Sequence, residues 1–244
     1  MTNQKIAAFF DIDGTLYRDS LMTEHFKKLI RYEILDEKIW INDIRHLYNS
    51  WDKREDDYDN YLFKLSTRYQ EAIKGLTKDE LDFVAKKVIQ LKSDRVYKYT
   101  RNIIKEHKEK NHLVFFISGS PDFLVEKMGE KHGVFLSVGS TYIMENDKFT
   151  GEVIPMWDSE SKNKMIDKLV LKYNIDLEKS FAYGDTQGDY RMLSKVGNPV
   201  AINPSKELLD NIKNNSELSN KVNIIIERKD VIYNLSPDVK TIKV

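Results

Sequence analysis

The stretch Phe9-Phe10-Asp11-Ile12-Asp13-Gly14-Thr15-Leu16 sets two aspartates, two positions apart, directly behind an apolar run that begins at Ile6. A short apolar run closed by acidic and turn-forming residues reads as a buried strand, since a helix needs a longer periodic segment. The carboxylates then fall where the strand ends and the chain turns, and Gly14 supplies the backbone freedom such a turn requires. One carboxylate of such a pair can attack an electrophile while its neighbour handles a proton, and both can help hold a hard cation through oxygen. An Asp-x-Asp-Gly run also opens calcium loops, but the late glutamate of an EF-hand would fall at position 22, which is Met22. An ordinary turn after a strand is the remaining alternative on this motif alone.

Two further apolar runs, 113–117 and 181–183, repeat the pattern. The first leads into Ser118-Gly119-Ser120-Pro121, the second into Gly184-Asp185-Thr186-Gln187-Gly188-Asp189. Weaker strand signals follow at 200–202 and 222–226, and 138–153, with Glu-Asn-Asp-Lys at its centre, reads as a β-hairpin. Strand, functional turn, helix is the grammar of a parallel sheet, in which sites gather at the carboxyl ends of the strands. The predicted fold is α/β: a Rossmann-like three-layer α/β/α parallel-sheet core. Between the first two strands, Phe26, Leu29 and Ile30, then Leu62 and Leu65, then Leu81, Val84, Val88 and Leu91 recur at helical spacing. No proline occurs from Leu21 to Thr100, so this segment is expected to be a bundle of about four helices. The expected domains are a core of 1–18 and 98–244 and an inserted helical cap of 19–97.

Bulk properties narrow the function. Lys plus Arg and Asp plus Glu number 39 each in the 244 residues, so a formal net charge of zero gives no electrostatic case for nucleic acid. Apolar residues at 41 % are sufficient for a core, and the chain has no cysteine, which rules out disulfides, thiolate metal sites and a cysteine nucleophile. No apolar run is long enough for a secretory signal or a bilayer span, so a cytoplasmic protein without a membrane partner is expected. Oligomeric state is not legible.

The strand-end residues supply a chemistry when taken together. Ser118 and the Gly119 N–H can face an anion, helped by the positive end of the following helix, although a plain helix cap has the same signature. Lys162, early in a helical stretch with Ile166, Leu169, Val170 and Tyr173 as its apolar stripe, can offset phosphate charge; Lys164 and Lys168 compete for that role. Asp185 is placed to complete a magnesium site with Asp11, and Asp189 to support it from one helical turn further on.

These four motifs, in this order, resemble those of the haloacid dehalogenase superfamily of phosphatases, and the resemblance covers essentially the whole chain. Within it the chain is similar to the phosphoserine-phosphatase-like branch, on the position of the cap and the pattern from Lys162 to Asp185. The resemblance implies that Asp11 attacks phosphorus and that Asp13 protonates the leaving group and then activates water. It also implies that Ser118, Gly119 and Lys162 hold the phosphoryl group and that Asp11, the Asp13 carbonyl and Asp185 bind Mg²⁺. A small phosphorylated metabolite is then the expected substrate, with Arg18, Tyr17, Arg31, Trp40, Tyr48 and Trp51 as candidate specificity residues. Phosphoserine phosphatases carry a substrate-reading glutamate shortly after the first motif; here Ser20 stands at that place, between Asp19 and, further on, Glu24. The alternatives kept open are a phosphoserine phosphatase proper, a phosphotransferase using the same aspartyl-phosphate, and a catalytically silent binding module.

Overall fold

A computed structural model of the chain describes residues 4–55 and 58–242. The first element is β1 (Ala7–Phe10), all four of its residues buried, as befits a central strand covered on both faces. The chain then passes through α1 (Leu21–Arg31), α2 (Glu37–Ile39), a π-helical turn (Trp40–Ile44), α3 (Arg45–Asp52), α4 (Tyr58–Ile73) and α5 (Lys78–Lys92). It continues through α6 (Lys98–Glu109), β2 (Leu113–Pro121), α7 (Asp122–His132), β3 (Leu136–Glu145) and β4 (Lys148–Ile154). The remainder is α8 (Ser159–Tyr173), β5 (Phe181–Gly184), a 3₁₀ turn (Gln187–Asp189), α9 (Tyr190–Lys195), β6 (Asn198–Ile202), α10 (Lys206–Asn214), α11 (Ser216–Lys221), β7 (Asn223–Arg228) and β8 (Val231–Leu235). Among the described residues no helix is long and apolar enough to cross a membrane.

Strand order is β4-β3-β2-β1-β5-β6-β7-β8. β1 pairs in parallel with β2 on one side and β5 on the other, with Phe10 opposite Phe116 and Tyr183. β5–β6 and β6–β7 are parallel too, and β8 closes the edge antiparallel to β7. Because β1, β2 and β5 share one direction, their carboxyl ends open on the same edge, and the three motifs are brought there by topology alone. The rings of the strands lock this register: Phe9 stacks on Phe115 at 5.2 Å and Phe10 on Tyr183 at 4.2 Å between centroids. The core between this sheet and its helices gathers Phe9, Phe115, Ile117, Ile166, Leu169, Leu193, Leu208 and Ile212, each at most 3 % exposed.

The chain divides into two compact units: 1–19, 94–140 and 155–244, and 20–93 with 141–154. The sequence boundaries differ from this in one substantial respect. They leave the hairpin with the core, whereas residues 141–154 cluster with the inserted helices. The first half of β3 pairs with β2 through Ser140, and the second half pairs with β4 in the other unit. The hairpin turn itself is legible in sequence: Asn146 and Asp147 take φ of 49° and 60°, the pair of positive values that a two-residue type I′ turn demands and that these residue types tolerate. Inside the second unit, His25 is fully buried and both ring nitrogens are satisfied. Its Nε2 faces the Leu81 carbonyl at 3.1 Å and must therefore carry the proton, so Nδ1 accepts from the Tyr69 hydroxyl at 2.8 Å. Tyr48, one of the aromatic specificity candidates, packs against Trp40, Trp51 and Tyr61 with Lys27 over its face at 4.1 Å. This is an aromatic cluster of the helical unit.

Candidate active site

Asp11 is the first residue past β1, and its N–H still donates to the Tyr183 carbonyl at 3.0 Å, so the strand pairing fixes its backbone. The residue is 5 % exposed, and its carboxylate accepts from Lys162 Nζ at 2.6 Å. The lysine arrives on α8, whose start is set by Asp158 accepting from the Glu160 and Ser161 N–H groups. Of the three lysines open from sequence, only Lys162 is buried; Lys164 pairs with Glu160 in solvent and Lys168 is exposed. The same Nζ donates to Asp189 at 2.6 Å, and the second oxygen of Asp189 accepts the N–H groups of Asp185 and Thr186 at 3.0 and 3.1 Å. Asp189 thus clamps the turn that presents Asp185.

Asp185 stands at the end of β5, and its carboxylate accepts from Thr15 Oγ1 at 2.8 Å while its carbonyl accepts from the Ser205 N–H at 2.8 Å. Thr15 belongs to the first motif, so the motifs at the ends of β1 and β5 are bonded directly to one another. Gly14 makes that approach possible: its φ is +86°, and a Cβ there would lie 2.0 Å from an Asp185 carboxylate oxygen. Asp11, Asp185 and Asp189 offer carboxylate oxygens within 4.8 Å of one another, all three buried. Among the described residues this is the one group of three or more such side chains close enough to share a cation.

Three buried carboxylates face a single ammonium, and the electrostatics reflect the imbalance. Burial pushes Asp11 up to about 8, reinforced by the charges of Asp189 and Asp13 and opposed by Lys162. Burial likewise raises Asp185 well above its ordinary value, with Asp11 and Asp189 adding to the effect. Burial alone would lower Lys162, but the flanking Asp11 and Asp189 outweigh it and hold the ammonium firmly charged. A divalent cation would balance this donor set: hard oxygen ligands, excess negative charge and exclusion from water suit Mg²⁺.

The β2 end contributes Ser118, Gly119 and Ser120. Ser118 is 1 % exposed, and its Oγ accepts the Ser120 N–H at 3.2 Å, so its own proton can be directed elsewhere. Ser140 Oγ donates to the Gly119 carbonyl at 2.8 Å and accepts the Met156 N–H at 3.0 Å, which pins the loop. Asp13 turns toward this loop and accepts from Ser120 Oγ, so its carboxylate stands apart from the carboxylate trio. The predicted residues Asp11, Lys162, Asp185 and Asp189 are therefore brought together, with Asp13, Ser118 and Gly119 on the neighbouring strand ends. Thr15, Ser120, Ser140 and Ser205 were missed. Nothing in their local sequence separates them from ordinary turn residues; only the strand order gives them partners.

Residues 8–194 match the family model of the haloacid dehalogenase-like hydrolases. The chain is 27 % identical over 84 % of its length to the "inhibition of morphological differentiation protein" of Streptomyces azureus, covering 74 % of that protein. It is 24 % identical over 83 % of its length to a phosphoserine phosphatase of Mycobacterium tuberculosis, covering 66 % of it. A solved structure titled a phospho-aspartyl intermediate analogue of phosphoserine phosphatase shares the fold at a TM-score of 0.59, with 22 % identity, over 85 % of this chain and 91 % of that one. The chain belongs to the haloacid dehalogenase-like hydrolase family.

Proposed function

We propose that this haloacid dehalogenase-like hydrolase is a Mg²⁺-dependent phosphatase that cleaves small phosphomonoesters through an aspartyl-phosphate on Asp11. The observation that carries the reading is the buried trio Asp11, Asp185 and Asp189 around one lysine, Lys162, which bridges two of them. An Asp11 oxygen attacks phosphorus as the bond to the leaving oxygen breaks, and Asp13 gives that oxygen its proton. Water then attacks the same phosphorus, the bond to Asp11 breaks, and Asp13 takes the water proton. Ser118 Oγ–H and the Gly119 N–H serve the phosphoryl oxygens, and Lys162 offsets charge gathering on them. Asp11, Asp185 and the Asp13 carbonyl would hold the metal with Asp189 behind them, and Mg²⁺ supplies Lewis-acid neutralisation of the phosphoryl charge.

The test is phosphate release with Mg²⁺ and its loss in excess chelator, read beside thermal unfolding. The pH dependence has a definite sign. Asp11 has a folded-state pKa of about 8 against an ordinary 3.8, so its contribution to stability is present below 3.8 and is lost as pH rises toward 8. Mg²⁺ binds the ionised carboxylates, and burial raises both Asp11 and Asp185, so its apparent affinity should climb with pH. The rise in Tm on adding Mg²⁺ should therefore be larger at pH 8 than at pH 5.5. A pH-independent shift, or activity that survives the chelator, would remove the metal from the reading.

Phosphoserine itself is not the preferred substrate in this reading. Ser20 is occupied as the N-cap of α1, its Oγ accepting the Thr23 N–H. The nearby acids are engaged as well, Asp19 with Arg95 at 3.7 Å and Glu24 with Lys92 at 3.6 Å. A substrate ammonium that lacks a carboxylate partner forgoes roughly 1.5–3 kcal/mol. The expected result is that kcat/KM for L-phosphoserine stays within a hundredfold of that for glycerol phosphate or 3-phosphoglycerate. A larger preference would make the chain a phosphoserine phosphatase proper, and phosphorylated alcohol among the products would make it a phosphotransferase.

A further inference from the structure

We infer that Ser120 is a positioning residue for proton transfer, holding the Asp13 carboxylate in the orientation from which it serves the leaving oxygen. The inference rests on the reading of Asp13 as acid and base given above. Ser120 is 4 % exposed, and its hydroxyl donates to Asp13 Oδ2 across a sequence separation of 107 residues. A serine one residue before a proline at a helix start is ordinarily a cap, but this one is not used so. The N-cap position of α7 is Pro121, which makes no side-chain cap bond, and the Phe123 N–H is taken by Asp122. The hydroxyl has one proton, and it goes to Asp13.

The loop around Ser120 is built to hold that geometry. Its N–H is fixed by Ser118 Oγ, and the preceding carbonyl, that of Gly119, is fixed by Ser140. The parallel pairing of β2 with β3, which sets Pro121 opposite Ser140, anchors the far side. One loop thereby couples two tasks: Ser118 and Gly119 face the phosphoryl group, and Ser120 sets the carboxylate that protonates what the phosphoryl group leaves behind.

The experiment is a double-mutant cycle on the full chain with Mg²⁺, read on two substrates, p-nitrophenyl phosphate and glycerol phosphate. Ser120→Ala should lower kcat on glycerol phosphate by about tenfold to a hundredfold, the usual worth of a hydrogen bond to a charged group. It should cost less on the aryl ester, whose departure needs little protonation and whose remaining loss reports the water step. KM should hold on both, and Ser120→Thr, which keeps the hydroxyl, should recover most of the loss. In an Asp13→Asn background Ser120→Ala should add nothing, since there is no carboxylate left to orient. Equal losses on the two esters, a raised KM, no recovery by threonine, or a full additional loss in the Asp13→Asn background would each overturn the assignment. The two readings fail differently. If Asp13→Asn shows no leaving-group dependence, both fall; if it does and Ser120→Ala does not, only the role of Ser120 falls.

Discussion

Replacing Asp11 with asparagine should lower kcat by on the order of 10⁴- to 10⁶-fold, the scale seen when a covalent nucleophile is removed. The amide is nearly isosteric with the carboxylate but cannot attack phosphorus. The fold should survive, because Lys162 keeps Asp189 as its second partner at 2.6 Å and the Asp11 N–H stays paired with Tyr183. The variant also removes one of three crowded buried charges, so the metal-free protein should lose less stability between pH 5.5 and 8 than the wild type does. Two measurements check this: single-turnover release of phosphate, and mass analysis of rapidly quenched protein for a phosphate adduct. An adduct should form on the wild type and be missing from Asp11→Asn. Substantial turnover by pure, folded variant would mean that phosphate is displaced by water directly.

The parts of this molecule that were legible in sequence are those where one residue's environment is set locally. The strand reading from Ile6 to Phe10 stands as β1, and the turn over Asn146 and Asp147 needed only their tolerance of positive φ. The runs that became β2, β5, β6 and β7 are apolar because parallel strands are covered on both faces. β8 had no such mark. It is an edge strand whose Val231, Ile232 and Tyr233 are 39–48 % exposed, so no buried face imposed a pattern on it.

The site divides along the same line. Asp11 and Asp185 each follow an apolar run and announce themselves. Lys162 had to be chosen from three lysines on one helix, and its burial between Asp11 and Asp189 depends on how α8 lies against the strand ends. Thr15, Ser120 and Ser205 make bonds to Asp185 and Asp13 that cross tens to well over a hundred residues of chain, or a turn whose shape is set by such bonds. A serine or threonine in a turn has too many local uses for its long-range partner to be inferred from its neighbours. The hairpin tip shows the same limit at a larger scale: its strands were readable, but its membership of the helical unit follows from Tyr142 meeting Tyr69 and from Gly75 N–H bonding to the Phe149 carbonyl.

The second large effect separates Asp13 from Asp11. Asp13→Asn keeps the backbone carbonyl assigned to the metal and can still accept from Ser120, so the turn 11–15 should stay in place. What it loses is a transferable proton, and general acid–base catalysis is typically worth about a hundred- to ten-thousand-fold. The loss should not be uniform across substrates. An alkyl phosphate expels an alkoxide that must be protonated as it departs, whereas an aryl phosphate expels a stabilised phenolate. Asp13→Asn should therefore approach the upper end of that range on glycerol phosphate and the lower end on p-nitrophenyl phosphate, where the remaining loss reports the base role in the water step. A quenched-flow experiment on the aryl ester distinguishes the two steps: the aspartyl-phosphate should form in a burst and then persist, because its hydrolysis has lost its base while its formation has hardly needed an acid. If the variant shows equal losses on both esters and no burst, Asp13 is not the proton-transfer group, and its carboxylate serves only to shape the turn beside Asp11.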